Sequence, residues 1–276
     1  MCFMTWSGEQ VDLEAYFARI GHQGETAATV ATLRALHRAH VASIPFENLD
    51  VALGREVPLD LKSLQDKLVR QRRGGYCYEQ NSLLAAVLER LGFAVAARGA
   101  RVRTRGPGLL PVTHALLVVE AGGEQWLVDA GFGAQGVREP VPLHEGVQVE
   151  QDGWGFGIER GDEGISVLRS LRQEGWTDLY AFAPQTLYPA DFTMMNHYSS
   201  THPLSKFVGQ IVAQRYLPGE RVVLVRDQLT IVRTDGSSDQ RTVSVRDIPD
   251  ILRSVFGIEL SPEDSAELVR VYSTGV

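Results

Sequence analysis

Hydrophobic residues in the first third of the chain recur every three or four positions, which places them on one face of an α-helix. This spacing predicts amphipathic helices over residues 11–20, 26–43 and 61–70. Gly21 is expected to end the first helix, because glycine adopts the left-handed conformation of a helix C-cap without strain. Asp60 is expected to cap the third helix with its carboxylate. The first third is therefore predicted to be helical.

After residue 92 the pattern changes to short runs in which apolar and polar residues alternate. These runs predict strands over residues 93–102, 112–120 and 125–128, and further short strands between residues 137 and 171. Gly-Pro, Gly-Gly and Gly-Phe-Gly sequences separate the runs and are typical of tight turns. The middle third is therefore expected to form an antiparallel sheet or a small barrel.

The last third mixes the two patterns. Helical spacing predicts helices at residues 191–198, 247–256 and 262–271. Alternation predicts four strands, at residues 207–216, 221–225, 229–234 and 241–245. This part of the chain is therefore expected to be mixed α/β.

Three domains follow from these changes of pattern. We predict an α+β fold with a helical domain over residues 1–92, an antiparallel β-barrel over residues 93–190 and an α/β region over residues 191–276. No repeat, low-complexity tract or long linker interrupts the sequence. The three domains are therefore expected to pack as one body.

The composition is that of an acidic folded protein, with 27 basic against 34 acidic residues in 276 and a net charge of −7. Negative charge opposes binding to nucleic acid and to anionic membranes. No apolar run approaches the ~20 residues of a membrane span, and no signal-peptide pattern opens the chain. Two cysteines, Cys2 and Cys77, cannot form a disulfide framework. We expect a cytoplasmic protein; nothing in the composition indicates its oligomeric state.

The strongest local motif is RRGGYCYEQN at residues 72–81. Gly74 and Gly75 permit a tight turn of the backbone, and the apolar periodicity that follows predicts a helix that starts near Cys77 and stops at Gly92. The N–H groups and the dipole at a helix N-terminus stabilise negative charge, so a cysteine there is biased toward the reactive thiolate. The alternative is a buried, inert cysteine, which is the usual state of a lone cysteine.

A histidine and an aspartate complete a candidate site for thiol catalysis. Such catalysis needs a base that accepts the thiol proton and a carboxylate that orients the base. His114 lies near the start of a strand whose remainder is apolar, and Asp129 lies at the end of the next strand fifteen positions later, after a hairpin through Gly122 and Gly123. Antiparallel pairing is expected to bring the two residues level with each other. The chain therefore has the order and the expected placement of a Cys–His–Asp site.

Two other histidines, His37 and His40, lie three positions apart on a predicted helix and could share a ligand. No carboxylate or cysteine completes a metal signature around them. We interpret them as core or interface histidines and expect no metal site.

Several ordered motifs resemble the arylamine N-acetyltransferases. They are RRGGYCYEQN, IPFENLD upstream of it, and THALLVV, VDAGFG and STHPLSKF downstream. The resemblance covers most of the chain and implies a helical first domain, a β-barrel second domain and an α/β lid, around a core like that of cysteine proteases and transglutaminases. It also implies a catalytic triad of Cys77, His114 and Asp129. The implied donor is acetyl-CoA, without a metal, and the implied acceptors are arylamines, arylhydrazines and N-arylhydroxylamines, many of them foreign compounds.

The resemblance also assigns residues around the triad. Phe46 and Phe132 match positions that line the acceptor and acyl pocket, with plain core packing as the alternative. Gly131 and Gly133 would let CoA approach the backbone closely, with a strand-ending turn as the alternative.

Three charged residues, Glu47, Arg73 and Glu79, match further motif positions of the family. We expect them to support the site, through an internal ion pair, rather than to take part in the chemistry.

The residues and the resemblance together predict ping-pong catalysis, in which the Cys77 thiolate takes the acetyl group and an arylamine then removes it. Three alternatives remain open. A thiol hydrolase would use the same triad and pass the acyl group to water. An amide synthase of ansamycin-type polyketide biosynthesis would take a carrier-bound acyl chain in place of acetyl-CoA. A non-catalytic binding protein could keep the fold alone.

Overall fold

The computed structural model describes residues 6–104, 110–161 and 164–273, so that Cys2 lies outside the described part of the chain. The fold is α+β, as predicted: helices come first, a large antiparallel sheet follows, and a second sheet with helices comes last. The α-helices are α1 (Leu13–Ile20), α2 (Val30–Ser43), α3 (Leu49–Ala52), α4 (Leu61–Leu64), α5 (Cys77–Arg90), α6 (Pro189–Thr201), α7 (Ile248–Ile251) and α8 (Pro262–Ser273).

Two of these helices continue in the wider π form, α4 over Gln65–Arg70 and α7 over Leu252–Phe256. The strands are β1 (Phe46–Glu47), β2 (Ala94–Val102), β3 (His114–Ala121), β4 (Glu124–Val128), β5 (Val141–Pro142), β6 (Gln148–Gln151), β7 (Trp154–Arg160), β8 (Ser166–Arg172), β9 (Gly175–Phe182), β10 (Val212–Leu217), β11 (Glu220–Val225), β12 (Gln228–Arg233) and β13 (Ser238–Thr242).

Local contacts set the helix ends. Gly21 ends α1 with a φ of 69°, and the carboxylate of Asp60 accepts a backbone hydrogen bond in the first turn of α4, as predicted. The prediction that α2 starts at residue 26 is wrong. This helix begins at Val30, because the hydroxyl group of Thr29 caps it by accepting a backbone hydrogen bond from its first turn.

Strands β2 to β9 form one antiparallel sheet in the order β5-β4-β3-β2-β9-β8-β7-β6, which curls into a nearly closed barrel. The sequence prediction misses β9, although this strand pairs with β2 on one side and with β8 on the other. The last four residues of β9 are all buried. This half of the strand therefore lacks the alternation that reveals a half-exposed strand.

The second sheet has the order β1-β10-β11-β12-β13. Its first strand comes from the first third of the chain, with Phe46 opposite Gln214 of β10. Backbone hydrogen bonds thus join the first and the last predicted domains. The domain boundaries after residues 92 and 190 stay predictions.

Two strand boundaries predicted in the last third are wrong. The strand expected from residue 207 begins at Val212, because turns occupy residues 203–204 and 206–209. The strand expected at residues 241–245 is β13, which starts at Ser238, because the turn that separates it from β12 is short.

Helix α5 lies at the centre of the protein. Every residue from Cys77 to Leu88 is buried, and the helix packs against β2 and β3. A helix that is covered on all sides has little freedom to shift, so its N-terminus is held firmly where β3 and β4 end. In the part of the chain that the structure describes, no helix combines the length and the hydrophobicity needed to cross a membrane.

Candidate active site

Cys77 is the first residue of α5, and only 2% of its surface is exposed. The carboxylate of Glu79 accepts a hydrogen bond of 2.9 Å from the N–H of Tyr76 and caps the helix. Gly74 allows the preceding turn, because a Cβ atom there would collide with the carbonyl oxygen of Pro45. The glycine turn thus serves close packing, and it presents Cys77 at a helix N-terminus as predicted.

His114 and Asp129 lie side by side at the ends of β3 and β4. Nε2 of His114 is 2.7 Å from Oδ2 of Asp129, and both residues are buried. The two strands pair with Leu117 opposite Val128, a register that places His114 opposite Gly131. The expectation that His114 and Asp129 are level is therefore wrong by two positions. Because strand side chains alternate between faces, an offset of two keeps both on one face and within reach.

Four hydrogen-bond donors hold the carboxylate of Asp129. Oδ2 accepts from Nε2 of His114 and, at 2.8 Å, from the hydroxyl of Tyr180. Oδ1 accepts from Nδ2 of Asn81 at 3.1 Å and from the N–H of Gly131 at 2.9 Å. Burial alone would raise the pKa of Asp129, but the charge of His114 and these hydrogen bonds lower it below its usual value. The carboxylate is therefore charged.

Because Nε2 of His114 is bonded to Asp129, Nδ1 is the imidazole nitrogen that is available to the thiol of Cys77. The side chain of Cys77 lines one cavity with His114, and its Sγ is 3.9 Å from the carbonyl oxygen of Thr113, the residue before His114. Burial lowers the pKa of His114, but the charge of Asp129 and the hydrogen bonds to Asp129 and Cys77 raise it to about 9. A cationic imidazole beside a thiol favours the thiolate. The structure thus brings the three predicted residues together in the order needed for nucleophilic chemistry.

A cavity of about 160 Å³ opens over Cys77 and His114. Phe46, Gly131 and Phe132 line it, which is the position that the resemblance implies for the two aromatic residues. The other lining residues are Val102, Thr113, Lys206, Phe207, Gln210, Val212, Gln214 and Val225. The cavity therefore lies between the barrel and the five-stranded sheet.

Glycine is needed at the two positions beside Phe132 for different structural reasons. A Cβ atom on Gly131 would lie 2.5 Å from the Cα of Cys77, so glycine lets the end of β4 pack on the start of α5. Gly133 has a φ of 78°, and a Cβ atom there would collide with the side-chain amide of Gln214. Gly133 is not among the residues that line the cavity over Cys77. The expected contacts of these residues with CoA stay predictions.

Glu47, Arg73 and Glu79 belong to a buried cluster that also contains Asp50 and Lys67. Nη2 of Arg73 lies 2.8 Å from Oε1 of Glu47, and Nζ of Lys67 lies 2.6 Å from Oε1 of Glu79 and 2.5 Å from Oδ2 of Asp50. Burial alone would lower the pKa of both cations, but the carboxylates outweigh it and raise both pKa values. The cluster ties the segment before α5 to β1 and α3. None of its members lines the cavity over Cys77.

The paired histidines of α2 have hydrogen-bond partners on every ring nitrogen. His40 contacts the hydroxyl of Tyr16 at 2.8 Å and Oε1 of Gln80 at 2.7 Å. His37 bonds to two backbone groups. Within the described ranges, no group of three or more His, Cys, Asp or Glu side chains is placed to hold a metal ion.

Sequence reasoning assigns no role to Asn81 and Tyr180, whose side chains bind the carboxylate of Asp129 beside His114. Asn81 follows Cys77 by four positions on the same helix, so helical spacing places both on one face and could have identified it. Tyr180 lies on β9, the strand that the pattern does not reveal. No local signal marks it.

Comparisons with known proteins agree with the motifs. The sequence profile of the N-acetyltransferase family matches residues 29–265. The arylamine N-acetyltransferase of Escherichia coli K12 is 38% identical over 250 residues, covering 89% of this chain and 88% of that protein. The crystal structure of the Nocardia farcinica arylamine N-acetyltransferase has a TM-score of 0.92 to this fold at 42% identity, covering 96% of each chain.

A solved structure with a ligand is also similar. The Mycobacterium marinum arylamine N-acetyltransferase in complex with CoA has a TM-score of 0.90 at 32% identity, covering 95% of this chain and 99% of that one. The similarity thus extends over nearly the whole of both chains, in sequence and in fold. The protein therefore belongs to the arylamine N-acetyltransferase family and is an acyltransferase.

Proposed function

We propose that this protein transfers the acetyl group of acetyl-CoA to arylamines, arylhydrazines or N-arylhydroxylamines through an acetyl-cysteine at Cys77. One observation carries the proposal. Cys77 lines one cavity with His114, whose Nε2 is bonded to the buried carboxylate of Asp129 at 2.7 Å. Family membership and the CoA bound to the Mycobacterium marinum relative support the identity of the donor.

In the first half-reaction the Cys77 thiolate attacks the carbonyl carbon of the thioester. A bond forms between Sγ and the acetyl carbon, the bond from that carbon to the CoA sulfur breaks, and protonated His114 gives its proton to the leaving CoA thiolate. Asp129 orients the imidazole and stabilises its charged form, because it binds Nε2 and leaves Nδ1 for the proton transfer.

In the second half-reaction the amine nitrogen attacks the acetyl group on Cys77. Neutral His114 accepts the proton of the amine, and the Cys77 thiolate leaves. Arylamines suit this step because they are unprotonated, and therefore nucleophilic, at neutral pH. The two half-reactions give ping-pong kinetics.

Both half-reactions pass through a tetrahedral oxyanion. Cys77 is the first residue of α5, so its N–H has no acceptor within the helix, and the helix dipole adds positive potential there. We assign this N–H to the oxyanion, a type of contact that contributes about 3–4 kcal/mol in a well-studied enzyme.

The cavity walls fit the proposed acceptor. Phe46, Phe132 and Phe207 provide aromatic surfaces for a flat apolar ring. The backbone from Gly131 to Gly133 is proposed to lie next to the acyl and thioester part of acetyl-CoA. Both substrates are small molecules, and a reducing cytoplasm, in which an unpaired cysteine persists, is the proposed location.

The test is intact-protein mass spectrometry after mixing the purified protein with acetyl-CoA alone. The wild type should gain one acetyl group and keep it until 4-aminobenzoate or an arylhydrazine is added. Cys77→Ser should gain none. Cys2→Ser is the matched control, because it removes the other cysteine and should become acetylated like the wild type.

Two outcomes would contradict the proposal. An acetyl group on Cys77→Ser would exclude Cys77 as the nucleophile. A wild type that gains no acetyl group, while Cys77 still reacts rapidly with iodoacetamide, would exclude acetyl-CoA as the donor and favour a hydrolase or an amide synthase.

A further inference from the structure

His37 of helix α2 is fully buried beside Asp129 of the active site. Its Nε2 lies 3.2 Å from the backbone nitrogen of Asp129, and its Nδ1 lies 3.1 Å from the carbonyl oxygen of Arg138. A backbone N–H can only donate, so Nε2 of His37 carries no proton. The proton is therefore on Nδ1, which donates it to the carbonyl of Arg138. These two contacts define one neutral tautomer.

The two backbone groups that His37 binds are the two ends of one loop. The loop of residues 129–138 forms most of the connection from β4 to β5 and contains Gly131 and Phe132, which line the cavity. The side chain of Gln214 on β10 accepts the backbone N–H of Ala134, in the middle of the loop, at 2.7 Å. One imidazole thus closes the loop that carries both Asp129 and a wall of the cavity.

His37 replaces a missing strand partner. The pairing of β3 with β4 ends at Leu117 and Val128, one residue before Asp129. The N–H of Asp129 is buried, and His37 is the group that accepts it. The position of this backbone decides where the carboxylate of Asp129 lies relative to His114.

We propose that His37 is a positioning residue for acetyl transfer: its neutral imidazole closes the loop of residues 129–138 and sets the carboxylate of Asp129 against His114. The inference rests on the triad proposed above. The titratable groups that act on His37 are the carboxylates of Asp129 and Glu139 and the neighbouring His40. Burial outweighs the two carboxylates and lowers the pKa of His37. A second proton would set an N–H group against the N–H of Asp129, so only the neutral form can hold the loop.

The experiment uses five variants of the full chain, one of which, His114→Gln, tests the triad itself. His37→Gln keeps an acceptor oxygen near the place of Nε2, and so the contact with Asp129. His37→Asn keeps a donor near the place of Nδ1, and so the contact with Arg138, whereas His37→Leu removes both contacts. His40→Leu is the matched control, because His40 is equally buried on the same helix but binds Tyr16 and Gln80 instead of the loop.

The readout is the rate at which iodoacetamide alkylates Cys77, followed on its peptide by mass spectrometry across pH, beside the melting temperature. In the wild type the alkylation rate should change near pH 9, where His114 loses its proton. This step at high pH is called the upper limb of the profile. His37→Leu and His37→Asn should slow alkylation at neutral pH on the order of 10- to 100-fold, because a catalytic group is displaced. They should also move the upper limb down by about one pH unit.

The other two variants are expected to keep the wild-type profile. His37→Gln should do so because it retains the contact with Asp129. His40→Leu should lower the melting temperature without moving the upper limb. If every His37 variant lowers the melting temperature but keeps the wild-type profile, His37 only stabilises the fold and the proposal is wrong. A shift as large in His40→Leu as in His37→Leu would overturn it equally.

A different result would contradict the triad itself. If His114→Gln leaves the profile of the wild type unchanged, His114 does not activate Cys77, and the function proposed above fails together with this inference. A profile that responds to His114→Gln but not to His37→Leu rejects the role of His37 alone.

Discussion

The hydroxyl group of Tyr180 donates a hydrogen bond of 2.8 Å to Oδ2 of Asp129, the same oxygen atom that accepts from His114. The ring of Tyr180 also packs on His114, with 4.8 Å between ring centroids, and on Phe132, with 4.9 Å. One side chain of the barrel therefore both binds the carboxylate and covers the imidazole. The charge on Oδ2 is shared between two donors, so Tyr180 weakens the hold of Asp129 on the proton of His114.

Tyr180→Phe should change both the stability of the protein and the proton affinity of His114. The buried carboxylate loses one donor, which should lower the free energy of unfolding by about 1.5–3 kcal/mol. The remaining charge acts on His114 alone, so the pKa of His114 should rise above its value of about 9. Urea unfolding and the pH profile of Cys77 alkylation measure the two effects. Tyr188→Phe is the control, since Tyr188 is 50% exposed and should show neither change.

Gly131→Ala should separate the end of β4 from the start of α5. The new methyl group would lie 2.5 Å from the Cα of Cys77, and neither backbone can move without disturbing the core. We expect a loss of about 1–3 kcal/mol in the free energy of unfolding and a marked fall in acetylation of Cys77. Gly161→Ala is the control, because its nearest neighbour would be 3.7 Å away. Normal acetylation of Gly131→Ala would show that this contact is not needed.

Arg73→Met should be strongly destabilising. Glu47 is fully buried, and removal of Arg73 leaves its charge without the guanidinium at 2.8 Å. Breaking such a pair typically lowers the free energy of unfolding by about 3–5 kcal/mol. Arg70→Met breaks an exposed pair with Asp66 and should change it by less than about 1 kcal/mol. Equal effects of the two substitutions in urea unfolding would mean that burial of the cluster is unimportant.

The raised pKa of His114 predicts a pH-dependent stability. The value is about 9 in the folded protein against 6.5 ordinarily, so the stabilisation from the charged form is complete below about pH 6.5 and is lost as the pH rises through 9. The free energy of unfolding should fall by about 3 kcal/mol across this window. His114→Gln should flatten the curve, whereas substitution of the exposed His144 by Gln should not. A wild-type curve that is flat between pH 6.5 and 9 would contradict the ion pair.

Asp129 is expected to affect the stability of the protein at acidic pH. Its folded pKa is lowered, so its contribution to stability is present above its ordinary value of 3.8 and is lost as the pH falls through the lower folded value. Asp129→Asn should therefore reduce the steepness of acid unfolding, measured by circular dichroism below pH 4. Acid unfolding as steep as that of the wild type would show that Asp129 is not charged in the folded protein.

Short-range patterns in the sequence are sufficient for much of this fold. The helix that starts at Cys77, the cap at Asp60, the stop at Gly21 and the hairpin between His114 and Asp129 all depend on residues a few positions apart, and all are found in the structure. The family motifs contain the same residues. The spacing of apolar residues shows on which face of its own helix or strand a side chain lies. At these positions that information is enough to predict the local structure.

The tertiary structure decided which groups surround Asp129, and no local pattern indicates the contacts of Tyr180 and His37. Asn81, Tyr180 and His37 bind Asp129 from α5, β9 and α2, at separations of 48, 51 and 92 residues along the chain. Periodicity shows that a face is buried, but it does not show which element covers that face. Such contacts arise only when helices and strands from distant parts of the sequence pack together. The sequence by itself therefore determined the elements that carry Cys77, His114 and Asp129, the three predicted site residues, and packing decided which groups hold them in place.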